Sequence, residues 1–485
     1  MARFLVVALG SCLLAGCASV DPYGLPPVMQ RLQRSDEVGV CTRLFQNSDL
    51  LIDAAGTRDV QAHRVPGFPH LRVDRVLAEL VAESGAQNAR QILVWREAMA
   101  ALDEAGRRVE LLNAGPDAAV SIELLGKCRQ LLAAADQADL PALVDAAKVP
   151  DDYSSSMRLL GLYPLTRYAF AAGIRNWQTN TLAVFAAHAA SDPPGPPRVH
   201  YGVAEQSADV PLFGDLSLPA MPTIARDTLA RLIVRHAPRF AIATSTNDDL
   251  PGALVWQRDA GTRWQVGVAA DQPALYVRSG QTRFGGRWRL QLIYTLWFPA
   301  RPSAHAYDVL AGRLDGLLWR VTVAENGTPL LYDTIHPCGC YHLFIPTEHV
   351  RARPQADGID EGLFVPQTLP APAVDERVVL KLAPGTHYLQ RVEIAAAAGD
   401  AGLSLALRDD EELRMLPLPG GGTHSAFAPD GLVAGSERLE RFYFWPTGIA
   451  SAGQMRQWGR HATAFVGRRH FDDPLLIDRY FEELP

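Results

Sequence analysis

The hydrophobic positions of this chain change period along its length. From about residue 36 to 190 they recur at helical steps. Val73, Val76, Leu77, Leu80 and Val81 make one series; Leu124, Leu125, Cys128, Leu131 and Leu132 make another within Ile122–Ala135. Each reads as one buried helix face. After about residue 240 the period is that of a strand. Trp288, Leu290, Leu292, Tyr294, Leu296 and Phe298 alternate with Arg289, Gln291, Ile293, Thr295 and Trp297, which predicts a long strand with one strongly apolar face. Segments 317–323 and 329–335 predict two further strands joined through Asn326-Gly327, a hairpin signal because both residues tolerate positive φ. Segments 377–382, 387–394 and 403–407 predict more strands, 224–234 a short helix, and 474–484 a helix capped by Asp473.

Breakers divide these regions. Pro66-Gly67-Phe68-Pro69 and Gly161-Leu162-Tyr163-Pro164 predict loops, and Asp139-Leu140-Pro141 a helix start. Asp192-Pro193-Pro194-Gly195-Pro196-Pro197 cannot continue a helix or pair within a sheet, so a boundary falls there. The fold class expected is α+β, a helical N-terminal domain followed by a larger antiparallel β-rich domain. The divisions expected are a signal at 1–16, a spacer at 17–35, helices at 36–190, a linker at 191–222 and a β-rich domain at 223–485.

The first residues carry an address. One arginine, a short apolar run and small residues ending Leu14-Ala15-Gly16-Cys17 form an export signal. That tetrapeptide resembles the lipobox of bacterial lipoproteins. The resemblance covers only the first twenty or so residues. It implies that Cys17 is lipidated with acyl chains such as palmitate, becomes the mature N-terminus and tethers the protein to the envelope membrane. Ala18, where an Asp would retain the protein at the inner membrane, implies the outer membrane, facing the periplasm. Several acyl chains suffice for stable anchoring without a spanning helix.

Composition narrows the partners. The chain has 485 residues, 48% hydrophobic and 20% charged, which is globular and long enough for more than one core. A net charge of −7 without a basic stripe argues against a nucleic-acid partner. Besides Cys12 and Cys17, four cysteines remain: Cys41, Cys128, Cys338 and Cys340. Export permits disulfides, and Cys41 with Cys128 is the favoured pair because both lie in the helical region.

Candidate chemistry concentrates in His336-Pro337-Cys338-Gly339-Cys340-Tyr341-His342. In an extended chain, alternate residues share one face, so His336, Cys338, Cys340 and His342 would converge. Such N and S ligands suit zinc or copper, with Asp333 and His349 near enough in sequence to join. A turn at Pro337 and Gly339 is the other geometry. Three readings therefore stand: a metal site, a disulfide involving Cys338 or Cys340, or buried small side chains beside ordinary histidines. The pairs of carboxylates Asp151-Asp152 and the run 409–412 read as solvated turns, and His461 and His470 amid Arg460, Arg468 and Arg469 as a solvated polar face. Common hydrolase and nucleotide-binding motifs are absent from the sequence. Two functions follow. One is an envelope lipoprotein that binds or scaffolds; the alternative is a metal-dependent periplasmic enzyme using the His–Cys cluster.

Overall fold

The computed structural model describes residues 22–84, 89–116, 121–204, 223–259, 261–355, 358–399 and 402–484. The expected signal, Cys17 and the 205–222 part of the expected linker lie outside the described residues. The fold is α+β, with a helical N-terminal region followed by a larger strand-rich region.

The first region contains α1 (Val28–Leu32), α2 (Glu37–Ala55), α3 (Arg75–Ser84), α4 (Ala89–Ala114), α5 (Ile122–Ala135), α6 (Leu140–Ala146), α7 (Ser155–Leu160) and α8 (Tyr163–Ala190). The Asp36 side chain accepts from the Gly39 N–H at the start of α2, which satisfies an otherwise orphaned donor. The buried face of α2, Cys41, Phe45 and Ile52, packs on Leu125, Cys128 and Leu132 of α5. Cys41 and Cys128 form a disulfide there, with their Cα atoms 5.1 Å apart. Helix α6 begins beside Asp139, but that carboxylate caps nothing because it is engaged by Arg31 at 2.6 Å.

Three expectations in this region are corrected. Tyr163 and Pro164, expected in a loop, open α8, with proline tolerated in the first helical turn. Val73 ends a strand rather than starting a helix. Phe68 and Pro69 belong to that same strand rather than to a loop, since β1 (His63–Val65) and β2 (Phe68–Val73) form a hairpin turning at Pro66-Gly67.

The strands that follow are β3 (Arg198–Gly202), β4 (Arg239–Ala243), β5 (Ala253–Arg258), β6 (Trp264–Ala269), β7 (Ala274–Phe284), β8 (Arg287–Arg301), β9 (Gly312–Val323), β10 (Pro329–Ile335) and β11 (Leu343–Pro346). Then come β12 (Val350–Ala352), β13 (Glu376–Leu382), β14 (Leu389–Ala396), β15 (Leu403–Ser404) and β16 (Ala406–Asp409). One sheet has the order β11-β10-β9-β8-β7-β16 and a second the order β14-β13-β4-β3-β15. Most pairings are antiparallel; β7–β16, β4–β13 and β3–β15 are parallel. The expected strand 403–407 is thus split at Leu405, one half serving each sheet. Strand β14 begins at Leu389, because His387 takes φ 51°, outside strand geometry.

The core between the sheets joins Tyr294, Leu296 and Phe298 of β8 and Trp319 of β9 to Ile242, Leu380 and Leu382. It is closed by Phe185 of α8 and by Leu229 and Ile233 of α9 (Arg226–His236). The reverse face of β8 is also buried, against the single-apolar-face expectation: Arg289, Gln291, Ile293, Thr295 and Trp297 are all covered. Part of that cover comes from residues 410–484, including Phe471 against Ile293. In the β9–β10 hairpin only Gly327 adopts positive φ, at 80°, and the register shifts between Pro329 and Leu331. The turn therefore closes on glycine alone, with a bulge. Near the end, α10 (Arg441–Phe444) and α11 (Leu476–Tyr480) are short. The helix expected through Leu484 instead stops at Tyr480. Residues 481–483 then form a strand pairing with β12, with Phe481 fully buried against Phe344 and Leu476.

Candidate functional site

The His–Cys cluster is a turn. The His336 N–H donates to the Cys340 carbonyl at 3.0 Å and the Gly339 N–H to the His336 carbonyl at 2.8 Å. Gly339 has φ 91°, and a Cβ there would come within 2.5 Å of the Ala462 carbonyl oxygen. Only glycine fits that conformation and that contact.

Register separates the two histidines. Thr334 pairs with Leu343 across β10 and β11. Continuing that register sets Ile335 opposite His342 and His336 opposite Tyr341, so the imidazoles occupy opposite sheet faces. Accordingly, the His336 ring lies 5.1 Å from the Tyr341 ring. His342 Nε2 instead meets Asp333 Oδ2 at 2.9 Å, and its Nδ1 lies 3.3 Å from Thr463 Oγ1.

The expected metal set of His336, Cys338, Cys340 and His342 therefore does not converge, and the geometry does not fit zinc or copper. Among the described residues no group of three or more His, Cys, Asp or Glu side chains is placed to hold a metal ion. His349 stays exposed beside Glu348. Cys338 and Cys340 are free thiols, buried with Ala253, Trp297 and Met455. A hydrogen bond with Cys338, followed by burial, raises the Cys340 thiol well above its ordinary range.

Each histidine belongs to its own carboxylate network. His336 Nδ1 donates to Asp315 Oδ1 at 3.1 Å, and His387 Nδ1 to Asp315 Oδ2 at 2.9 Å. The His387 ring stacks on Phe298 at 3.8 Å, and its Nε2 lies 3.4 Å from Asp249. Burial lowers the basicity of His387, but its bonds to Asp249 and Asp315 outweigh that and raise it. The ring is thus held between two carboxylates that favour its protonated form. Burial opposes ionisation of Asp315; His336, Arg438 and His387 overcome it and hold the carboxyl well below its usual range. Leu314, Tyr341 and His387, all beside this network, adopt positive φ.

Room for a ligand exists away from this cluster, and the wall rich in charged side chains belongs to the space between the two regions. A cavity of about 310 Å³ lies between the helical region and the strand-rich region. Asp59, Gln61, Asp74, Arg75 and Gly106 line it from one side; Arg278, Gln291, Glu411, Arg414, Trp458 and Asp472 line it from the other. Asp74 is held at the start of α3, where it accepts from the Leu77 N–H at 2.8 Å. The arginines are cross-linked to acids. Arg414 forks onto Asp59 at 2.8 and 3.1 Å and also pairs with Glu411. Arg75 bridges Asp472 at 3.1 Å and Asp152 at 2.9 Å. Arg278 reaches Asp410 at 2.8 Å and lies 4.6 Å over the Trp458 ring.

This setting divides the carboxylates. Burial pushes Asp472 up to about 6, with Asp152 and Asp74 adding to the rise against Arg75. Burial also raises Asp74, opposed by the Leu77 N–H and Arg278. Glu411 goes the other way: burial is outweighed by Arg414 and Arg278, which bring it to about 2. Neighbouring acids with opposite shifts suit hydrogen bonding to a ligand as both donor and acceptor.

These residues correct two expectations. Asp152, Asp410 and Glu411 are not free turn residues but partly covered partners of arginines, Asp152 of Arg75 and Asp410 and Glu411 of Arg278. His461 and Arg469 are buried: His461 Nε2 donates to the Pro337 carbonyl at 3.1 Å, and Arg469 pairs with Glu361. The signal that could have found the cavity is the alternation of Arg278, Gly280 and Gln291 on strands whose polar face turns out to be covered. No family model, no curated protein and no solved structure matches this chain.

Proposed function

We propose that this is an envelope lipoprotein, held through Cys17 and the spacer 18–35, whose body binds a small uncharged ligand rich in hydroxyl groups in the cavity between its helical and strand-rich regions. The observation that carries the binding reading is the cavity wall. Its arginines are paired with Asp59, Asp410, Glu411 and Asp472, so no unpaired cation remains on Arg75, Arg278 or Arg414 to select an anion. Amide, carboxyl and guanidinium edges together with one tryptophan offer donors, acceptors and an apolar surface. The volume matches the small end of ligand pockets.

The test is calorimetry and thermal melting of the protein with neutral mono- and disaccharides, set against Gln291→Leu and Asp74→Asn. Saturable binding weakened by both substitutions supports the reading; no binding by any sugar overturns it. The anchor is tested separately. Palmitate incorporation should vanish in Cys17→Ser, and incorporation that persists overturns the lipoprotein reading.

A hydrolytic role is the second reading, favoured by Asp472 in the cavity wall, where burial pushes its carboxyl up to about 6, within reach of proton exchange near neutral pH. Release of reducing sugar from a disaccharide, abolished in Asp472→Asn, would select it over binding alone.

A further inference from the structure

The surface around α7, the start of α8 and α10 is unlike the rest of the molecule. Leu159, Leu162, Leu165 and Tyr168 are between 59% and 76% exposed. Phe442 and Tyr443, at 62% and 63%, and Trp445 lie on the neighbouring segment. The two segments are packed together. Arg158 Nε donates to the Thr447 carbonyl at 2.7 Å, and the Phe170 and Phe444 rings are 5.6 Å apart. Large side chains at this density form an apolar patch that a free monomer rarely leaves in water.

Charge identifies the partner. Between Asp152 and Asp192 the sequence holds no acidic residue, yet it carries Arg158, Arg167 and Arg175. Arg441 adds a cation on the neighbouring helix, where Glu440 is buried. The nearby acids Asp151 and Asp360 each face an arginine, Arg468 and Arg167. In a chain of net charge −7, this surface is cationic and apolar at once. Leucine with tryptophan, tyrosine and phenylalanine is the composition of a membrane–water interface. Cations beside it add attraction to anionic headgroups.

We infer that this face docks on the surface of an anionic phospholipid bilayer, seating its leucines and aromatic rings among the headgroups. Contact would be lateral, because no described helix is long and apolar enough to cross a membrane. The inference does not depend on acylation of Cys17.

It is tested with the chain from Ala18 onward, which carries every described element, so that no acyl chain contributes. Co-sedimentation with phosphatidylcholine vesicles is compared with and without phosphatidylglycerol. The expected result is binding that needs phosphatidylglycerol, weakens with salt, and falls about tenfold or more in a Leu165→Ser, Phe442→Ser double variant. Arg175→Glu should weaken it with the apolar surface intact. In the unsubstituted protein, brominated lipid should quench fluorescence that is lost in Trp445→Phe. Absence of binding, or binding indifferent to these substitutions, overturns the inference. So does a concentration-dependent dimer that the double variant dissolves, since a second copy would then be the occupant.

Discussion

Arg320 forks onto Asp333 across neighbouring strands, with Nε–Oδ1 at 2.8 Å and Nη2–Oδ2 at 2.5 Å, both side chains fully buried. The guanidinium also lies 3.8 Å over the Phe471 ring, and Asp333 carries His342 on the same carboxylate. Asp333→Ala would leave a cation buried without its counter-charge. A loss of about 3–5 kcal/mol in urea unfolding is expected. A loss below about 1 kcal/mol would mean that the pair is not buried in this way.

The Cys41–Cys128 bond spans a sequence separation of 87. Joining such distant points restricts the unfolded chain, so Cys41→Ser with Cys128→Ser should lower stability by roughly 2–5 kcal/mol. Reductant should lower the melting temperature of the natural protein and leave the double variant unchanged.

Cys338 and Cys340 are free and buried. A thiol reagent should therefore find almost nothing in the native state and two groups after denaturation in a non-reducing buffer once Cys17 is absent. Two groups that react at once in native protein would contradict their placement beneath the turn.

His342 and His461 are both brought to about 3, chiefly by burial. Their folded pKa values lie below the unfolded value of about 6.5, so the unfolded chain binds the extra protons between these limits. Stability contributed by the neutral rings is present above about 6.5 and is lost as pH falls toward 3. His461→Gln should weaken this loss between pH 6.5 and 4 by roughly 3 kcal/mol, read from urea midpoints. An unchanged slope would show that His461 titrates normally.

The legible parts of the fold were those with local causes. Strand β10 occupies residues 329–335 because its alternation and the Asn326-Gly327 turn are both written within a few residues. The helix of Ile122–Ala135 is legible for the same reason. The reverse face of β8 was not. Arg289 and Gln291 look like solvent positions until residues far away in sequence cover them. The cavity is more remote still. Arg414 meets Asp59 across 355 residues and Gln457 meets Asp59 across 398, so no window of sequence contains the pair. The His336–His342 motif misled for a definite reason: even spacing predicts a shared face in an extended chain, whereas a reversal at Gly339 moves one imidazole to the other side.

The segment carrying Trp458, His461, Phe471 and Asp472 has a further consequence, one of timing. Synthesis proceeds from the N-terminus, so the helices and both sheets are complete before the residues that cover β8 and finish the cavity wall. Until then Ile293, Leu318 and Arg320 lack Phe471, and Arg75 lacks Asp472. A chain lacking residues 458–472 would therefore expose a half-polar sheet face, and that face closes only once this last segment is in place.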